Sequence, residues 1–361
     1  MFSSKTETDK SLEWLKRKNL LTLAKSHSKE LEKTFNECLN ATNEQVLVIG
    51  DRGYRNQRIS ALLSASYYFA AKKEGRKPIL ILQKPKLVGE IADKMVTDVL
   101  SALPEKSIII TALSHKLGRL NKESGKSFRK FCKTNKHKFV SCGGLANLTT
   151  EQFSYVAESI NIDYKELQKK HANLKKILSK AKKIQITTDK GTNLTLDVTG
   201  IVAHSSDGKY TLPGVGGNLP AGEVYIAPKN ANGIVIVDGS SKRRGGTTLI
   251  KEPITLIIEN GQVIKIEGGF EANLLQKTVD WAKKRAKKPE NITRLAEFGI
   301  GLNPKAKIVG ATIIDEKTIG TAHVALGSNY WFGGNIFTII HLDQVFRNPK
   351  IYVDNKELLI E

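Results

Sequence analysis

Five side chains in the second half of the chain have the types and spacing to do chemistry. Glu223 lies in Asn218-Leu219-Pro220-Ala221-Gly222-Glu223-Val224, and Glu297 opens Glu297-Phe298-Gly299-Ile300-Gly301-Leu302-Asn303-Pro304. His323 follows Gly320-Thr321-Ala322, and His341 and Asp343 flank Leu342. Imidazole and carboxylate donors suit a borderline divalent ion such as zinc, cobalt or manganese. Two histidines and three carboxylates are enough for two such ions sharing a bridging carboxylate, which activates a water and holds the oxyanion of an acyl-transfer transition state. A lone Glu on a strand is ordinarily surface, and a lone His is ordinarily satisfied or solvated. In combination they are stronger candidates, because each of these residues sits at a Gly-bounded turn, a strand end or the end of an apolar run.

Such a cluster needs a scaffold. If the apolar run Ile336 to Ile340 is a strand, His341 and Asp343 reach one pocket, since residues two apart on a strand share a face. The second half contains other period-2 segments. Lys183 to Thr188 and Asn193 to Val198 form a hairpin about Lys190-Gly191, and strands are expected at 222–227, 233–238, 254–259 and 262–267. Asn260-Gly261 is a strong hairpin signal. One helix, 271–287, interrupts them. The first half reads differently. Helical spacing over 10–40, a buried strand at 45–50, an Ala/Ser-rich helix at 59–73 and a strand at 78–82 make a βαβ unit. A helix at 88–103, strands at 107–112 and 139–144, a basic helix at 124–136 and helices at 151–159 and 163–181 continue it. The expected fold class is α/β. An N-terminal open α/β domain with a parallel sheet (1–180) precedes a C-terminal, mostly antiparallel β (α+β), metal-binding catalytic domain (181–361).

The Gly50-x-x-Gly53 turn lacks the glycine pattern of a nucleotide loop and reads as scaffold. Composition sets further bounds. The three cysteines, Cys38, Cys132 and Cys142, have neither metal nor disulfide-framework spacing and fit a reducing compartment. A polar N-terminus and the absence of a long apolar run predict a cytoplasmic protein without membrane association. The net charge of +21 falls mostly in the first half. Its lysines are scattered through helical patterns without a nucleic-acid motif, so a solvated basic surface is favoured over nucleic-acid binding.

The motifs around Glu223, Glu297, Asp315-Glu316-Lys317, Gly320 to Gly327 and His341-Leu342-Asp343 resemble those of the aminopeptidase T family, over roughly residues 180–361. That resemblance implies a cytosolic, homodimeric metallo-aminopeptidase with an α/β first domain. It implies two divalent metal ions (zinc, cobalt or manganese) held by Glu223, Glu297, His323, His341 and Asp343. Glu223 or Glu297 would assist proton transfer at the scissile peptide bond, and Tyr330 would support the oxyanion. The family has a relative that cleaves hydroxylated pyridine rings with a single iron, so a mononuclear iron dioxygenase is the alternative. A non-enzymatic nucleic-acid-binding module is the third reading. Three weaker candidates read as structure. Asp315-Glu316-Lys317 is expected to be a salt-bridged turn. Ser241 to Gly246, which could bind a substrate carboxylate, is expected to be a solvated hairpin loop. His204-Ser205-Ser206-Asp207-Gly208 is a turn with no nucleophile-and-base pair.

Overall fold

The computed structural model describes residues 4–120 and 127–360. The chain divides into two compact units, Met1–Lys165 with Gly208–Ala221, and Glu166–Asp207 with Gly222–Glu361.

The first unit is built on a parallel sheet. Its strands are β1 (Val46–Asp51), β2 (Ile79–Gln83), β3 (Ile108–Leu113), β4 (Lys138–Gly143) and β8 (Gly216–Asn218), in the order β2-β1-β3-β4-β8. β1 and β3 are buried along their whole length, which is why both read as unbroken apolar runs. The helix Ile59–Lys73 crosses from β1 to β2, and its small residues let it lie close to the sheet. The buried Ser60 hydroxyl donates to the Ala112 carbonyl at 2.6 Å, tying helix to sheet. The Gly50 to Gly53 turn has a structural role: buried Asp51 accepts hydrogen bonds from the Gly53 amide and from both the amide and hydroxyl of Ser114.

Two helical expectations change. The segment 10–40 is not one helix: Ser4–Arg17 ends before Asn19, at φ 57°, and Leu21–Ser26 and two short helical turns follow. The helix expected from 88 begins at Lys94, because Asp93 accepts from the Lys84 amide and pairs with Lys86, holding the preceding segment as a loop. Of the basic helix expected at 124–136, Phe128–Thr134 is observed, and residues 121–126 lie outside the described residues.

The second unit holds two sheets. One orders β14 (Gln262–Glu267), β13 (Ile254–Glu259), β10 (Asn230–Val237), β6 (Asn193–Asp197), β5 (Lys183–Thr187), β18 (Lys350–Val353) and β19 (Lys356–Glu357). Its β13–β14 hairpin turns on Asn260 and Gly261, at φ 49° and 73°, the pair of positive values that a type I′ turn needs. The other sheet orders β12 (Gly246–Leu249), β11 (Ser240–Arg243), β17 (His341–Arg347), β16 (Thr321–Gly327), β15 (Leu295–Gly301), β9 (Glu223–Ile226) and β7 (His204–Ser206). All its pairings are antiparallel. One face carries Phe298, Ile300, Val324, Leu326, Leu342 and Phe346, all buried. Each large apolar side chain among them contributes about 1.5–3 kcal/mol through burial. The opposite face carries the candidate chemistry.

Here too the sequence expectations are corrected. The run Ile336 to Ile340 is not the strand, which starts at His341. Ser241 to Gly246 is a hairpin, as expected, with Arg244 and Gly245 as its exposed turn, but its first strand, Ser240–Arg243, also pairs with β17. Among the described residues, no helix is long and apolar enough to cross a membrane. Cys38, Cys132 and Cys142 are buried and form no disulfide.

Candidate metal centre

Strand register gathers the site. Across four strands, Tyr225 faces Gly299, Gly299 faces His323, and His323 faces Val345. One row along, Glu297 faces Ala325, which faces Asp343. His341 faces Gly327, and Glu223 faces Gly301. With a period of two, Glu223, Glu297, His323, His341 and Asp343 therefore project from one face. A register shift between Leu295 and Glu297 adds a residue to β15 just before Glu297, as a bulge does when it re-aims a side chain.

Two glycines make room. A Cβ on Gly299 would lie 2.2 Å from Cε1 of His323, so the imidazole occupies the space that any other residue would fill. A Cβ on Gly301 would lie 2.1 Å from the Thr318 carbonyl oxygen, so this glycine lets the 317–318 backbone press against β15. The sequence Glu297-Phe298-Gly299-Ile300-Gly301 thus places a donor, two clearances and two core residues on a single strand.

The structure brings the five side chains together. His323 Nε2 lies 3.3 Å from Glu297 Oε1 and 3.8 Å from Glu223 Oε2. His341 Nε2 lies 3.4 Å from Glu297 Oε2 and 3.0 Å from Asp343 Oδ1. Donor atoms of Glu223, Glu297 and His323 all fall within 4.8 Å of one another. The Nδ1 of His341 donates to the Ser328 carbonyl at 2.7 Å, which leaves Nε2 as the atom presented to the carboxylates.

Electrostatics favour a cation here. Burial works against protonating His323, yet Glu297, Glu223 and Asp343 outweigh it and raise its pKa to about 9. Burial likewise opposes protonation of His341, but Asp343 and Glu297 lift it to about 10. Asp343 shows the counterpart: burial would raise its pKa, and His341 drives it well below the ordinary carboxylate range. A field that holds protons on two buried imidazoles is the field that would hold a metal ion. The residues fit one, being convergent imidazole and carboxylate donors: His341 is hydrogen-bonded from behind by Ser328, and the buried Nδ1 of His323 has no hydrogen-bond partner among the described residues.

Two important neighbours were undervalued in the sequence. Lys317 is fully buried, with Nζ 3.0 Å from Glu223 Oε1 and hydrogen-bonded to Glu316. Burial disfavours its ammonium, but Glu223 and Glu316 more than compensate and its pKa is raised. Burial raises the pKa of both Glu223 and Glu316, against the pull of Lys317. Asp315-Glu316-Lys317 is the salt-bridged turn expected, with Lys317 fully buried. Asp315 accepts from the amides of Val309 and Gly310, while Glu316 and Lys317 turn into the site. Adjacent opposite charges look the same in a sequence whether solvated or buried, and only the sheet beneath them decides.

Tyr330 is placed differently from its expected supporting role. It is 66% exposed and packs edge-on against Phe337. Its neighbours Trp331 and Phe332 are the rings that meet His341, with centroids 4.9 and 6.3 Å away.

Comparison with known proteins gives a family and a fold. The model of the NicX family, 2,5-dihydroxypyridine 5,6-dioxygenase, matches residues 155–361. A curated relative, the 2,5-dihydroxypyridine 5,6-dioxygenase of Pseudomonas putida strain KT2440, is 26% identical over 195 residues, 51% of this chain. The matched part spans about half of that relative's length, 54%. Among solved structures, the 2,5-dihydroxypyridine dioxygenase of Pseudomonas putida KT2440 superposes with TM-score 0.66 and 17% identity, covering 92% of this chain and 95% of that one. Wild-type AmpT from Thermus thermophilus superposes with TM-score 0.62 and 15% identity, covering 91% and 94%. The likeness to aminopeptidase T is thus one of fold.

The peptidase reading, with its keywords of hydrolase, protease and proteolysis, is overturned by the family match and by the curated relative. The reason is physical. The glycine-framed motifs behind the resemblance are what this sheet needs to seat a buried carboxylate–imidazole cluster. They are demands of the fold, and a fold does not fix the reaction.

Proposed function

The chain belongs to the 2,5-dihydroxypyridine 5,6-dioxygenase family, and from that premise we propose that it is a ring-cleaving dioxygenase acting on a dihydroxylated pyridine with a single bound iron. One observation carries the reading: the matched stretch, 155–361, contains every residue of the buried cluster. His323, His341 and Asp343 supply two imidazoles and a carboxylate, the donor set suited to a non-haem ferrous ion with open positions, and Glu297 touches both imidazoles. When bound, the iron supplies the redox chemistry by which dioxygen opens the ring.

The protein's own groups do the rest. The Ser328 carbonyl keeps the proton on His341 Nδ1 and so fixes which nitrogen faces inward. Lys317 engages Glu223 and Glu316 and holds both carboxylates beside the imidazoles. Glu223, whose pKa is raised by burial, is the group to accept a proton from a ring hydroxyl. Phe332, packed against His204 and Tyr225, keeps water from that side.

The test is metal analysis of protein purified without chelator, followed by anaerobic loading with ferrous ion and oxygen-uptake measurement with 2,5-dihydroxypyridine. The expected result is one iron per chain and oxygen consumption matched to loss of the ring absorbance. An iron-loaded protein that consumes no oxygen with any hydroxylated pyridine would overturn the reading.

A further inference from the structure

Solvent reaches the cluster unevenly. His341 is 20% exposed, whereas the side chains of Glu223, Glu297, His323 and Asp343 are at most 10% exposed. Approach is therefore from the His341 side, and what stands there sets what can enter.

Trp331 stands there. Its ring meets the His341 ring edge-on at 4.9 Å between centroids, yet 62% of the residue is exposed. It does not fill a core, although Phe332 beside it does, at 5% exposed. An indole left bare beside a buried polar cluster is an unused flat apolar surface. Such a surface is a recognition element for a planar ring.

The neighbouring strand supplies the second element. Ser240 pairs with Val345 and Ser241 with Gln344, and the strand runs on through Lys242 toward the Asp343 end of β17. Being two residues from Ser240, Lys242 shares the face of Val345, His323 and Asp343. Its backbone carbonyl accepts from the Gln344 side chain, which anchors the strand at that point. Lys242 also contributes to lowering the Asp343 pKa, so its charge is felt in the cluster. Lys317, the other cation of this face, is fully buried and already engaged by two carboxylates, whereas Lys242 is half-buried and on the edge of the cluster.

We infer that Trp331 and Lys242 form a selectivity pair for this site, Trp331 stacking on a planar aromatic ring and Lys242 meeting an ionised oxygen carried by that ring. The inference rests on the proposed dioxygenase reading and names the residues by which the site would select the ionised ring over other ligands. Both residues are specificity determinants that touch substrate without holding the metal.

Binding tests this without turnover. Iron-loaded protein under argon is titrated with 2,5-dihydroxypyridine by calorimetry and by tryptophan fluorescence, with cyclohexane-1,4-diol as a non-planar control. The expected result is binding of the ring, quenching that disappears in Trp331→Ala, and no binding of the diol. Trp331→Ala and Lys242→Met each weaken ring binding about tenfold, the size expected for losing one stacked or charge-assisted contact. Trp331→Phe and Lys242→Arg stay within about threefold. Circular dichroism and iron content confirm that each variant is folded and loaded. If wild-type protein does not bind the ring, the dioxygenase reading falls and this inference with it. If wild-type binds and both truncations bind equally well, only the selectivity pair is overturned.

Discussion

Gly299 and His323 face each other across β15 and β16, and the imidazole fills the space that a Cβ on Gly299 would need, 2.2 Å from Cε1. The neighbour that would have to yield is a ring already held between Glu297 and Glu223. Gly299→Ala should therefore push His323 off its position while sparing the sheet, whose opposite face is unchanged. The expected outcome is a loss of iron affinity of about 10–100-fold or more, the range seen when a ligand's orientation is disturbed. Metal titration of the variant, with circular dichroism as the control for folding, checks it.

Lys317 lies fully buried between Glu223 and Glu316. Lys317→Met keeps much of the volume and leaves two buried carboxylates without their cation. Breaking a buried pair in this way costs about 3–5 kcal/mol. Urea unfolding at pH 7 should show a deficit of that order. At lower pH the two acids, whose pKa values burial already raises, take up protons and the deficit should narrow. A deficit independent of pH would mean the lost stability has another source.

Metal removal should destabilise the second unit. Glu223, Glu297, Glu316 and Asp343 crowd together, and without a metal their charge is balanced by Lys317 and by the protons held on His323 and His341. A ligand bound only to the folded state stabilises by about 2.7 kcal/mol at a hundred times its dissociation constant. Chelation should lower the melting temperature, and added ferrous ion under argon should restore it. The His341→Ala variant should show neither effect.

His171, fully buried on the helix Tyr164–Lys180, has no hydrogen-bond partner for either ring nitrogen among the described residues. Burial, helped by the charge of Lys317, lowers its pKa to about 3. The sign follows directly. Between about pH 3 and 6.5 the unfolded imidazole binds a proton that the folded one does not, so stability rises with pH and is lost as pH falls. The slope from this residue is at most ~1.4 kcal/mol per pH unit. His171→Leu should remove that contribution, so the melting-temperature gap between variant and wild type should grow in the variant's favour from pH 7 to pH 4.5. A constant gap would show that His171 does not carry the acid sensitivity.

The sequence disclosed the fold class well because its two halves obey different periodicities. β1 and β3 are buried on both faces and read as unbroken Val/Ile/Leu runs, whereas β5 and β6 alternate. It disclosed β15 poorly. Two glycines in Leu295–Gly301 weaken any strand signal, yet they are there because His323 and the Thr318 carbonyl need the room. Residue types pointed to Glu223, Glu297, His323, His341 and Asp343. Nothing in the sequence distinguished the buried Glu316 and Lys317 from a solvated pair, and nothing placed Lys242 beside Asp343. Those relations arise from the pairing of β11, β15, β16 and β17, which no local pattern encodes. The choice of reaction was less legible still, since the motifs that suggested a peptidase are requirements of the shared scaffold.

The strand order β17-β16-β15-β9 also has a consequence for synthesis. A nascent chain that has emerged as far as Gly327 already carries Glu223, Glu297 and Glu316, but neither His341 nor Asp343. β16 then lacks the neighbour that covers it on one side, and the acidic face lacks the imidazole anchored by Ser328. A metal ion held jointly by His323, His341 and Asp343 would thus be captured only after β17 has been made.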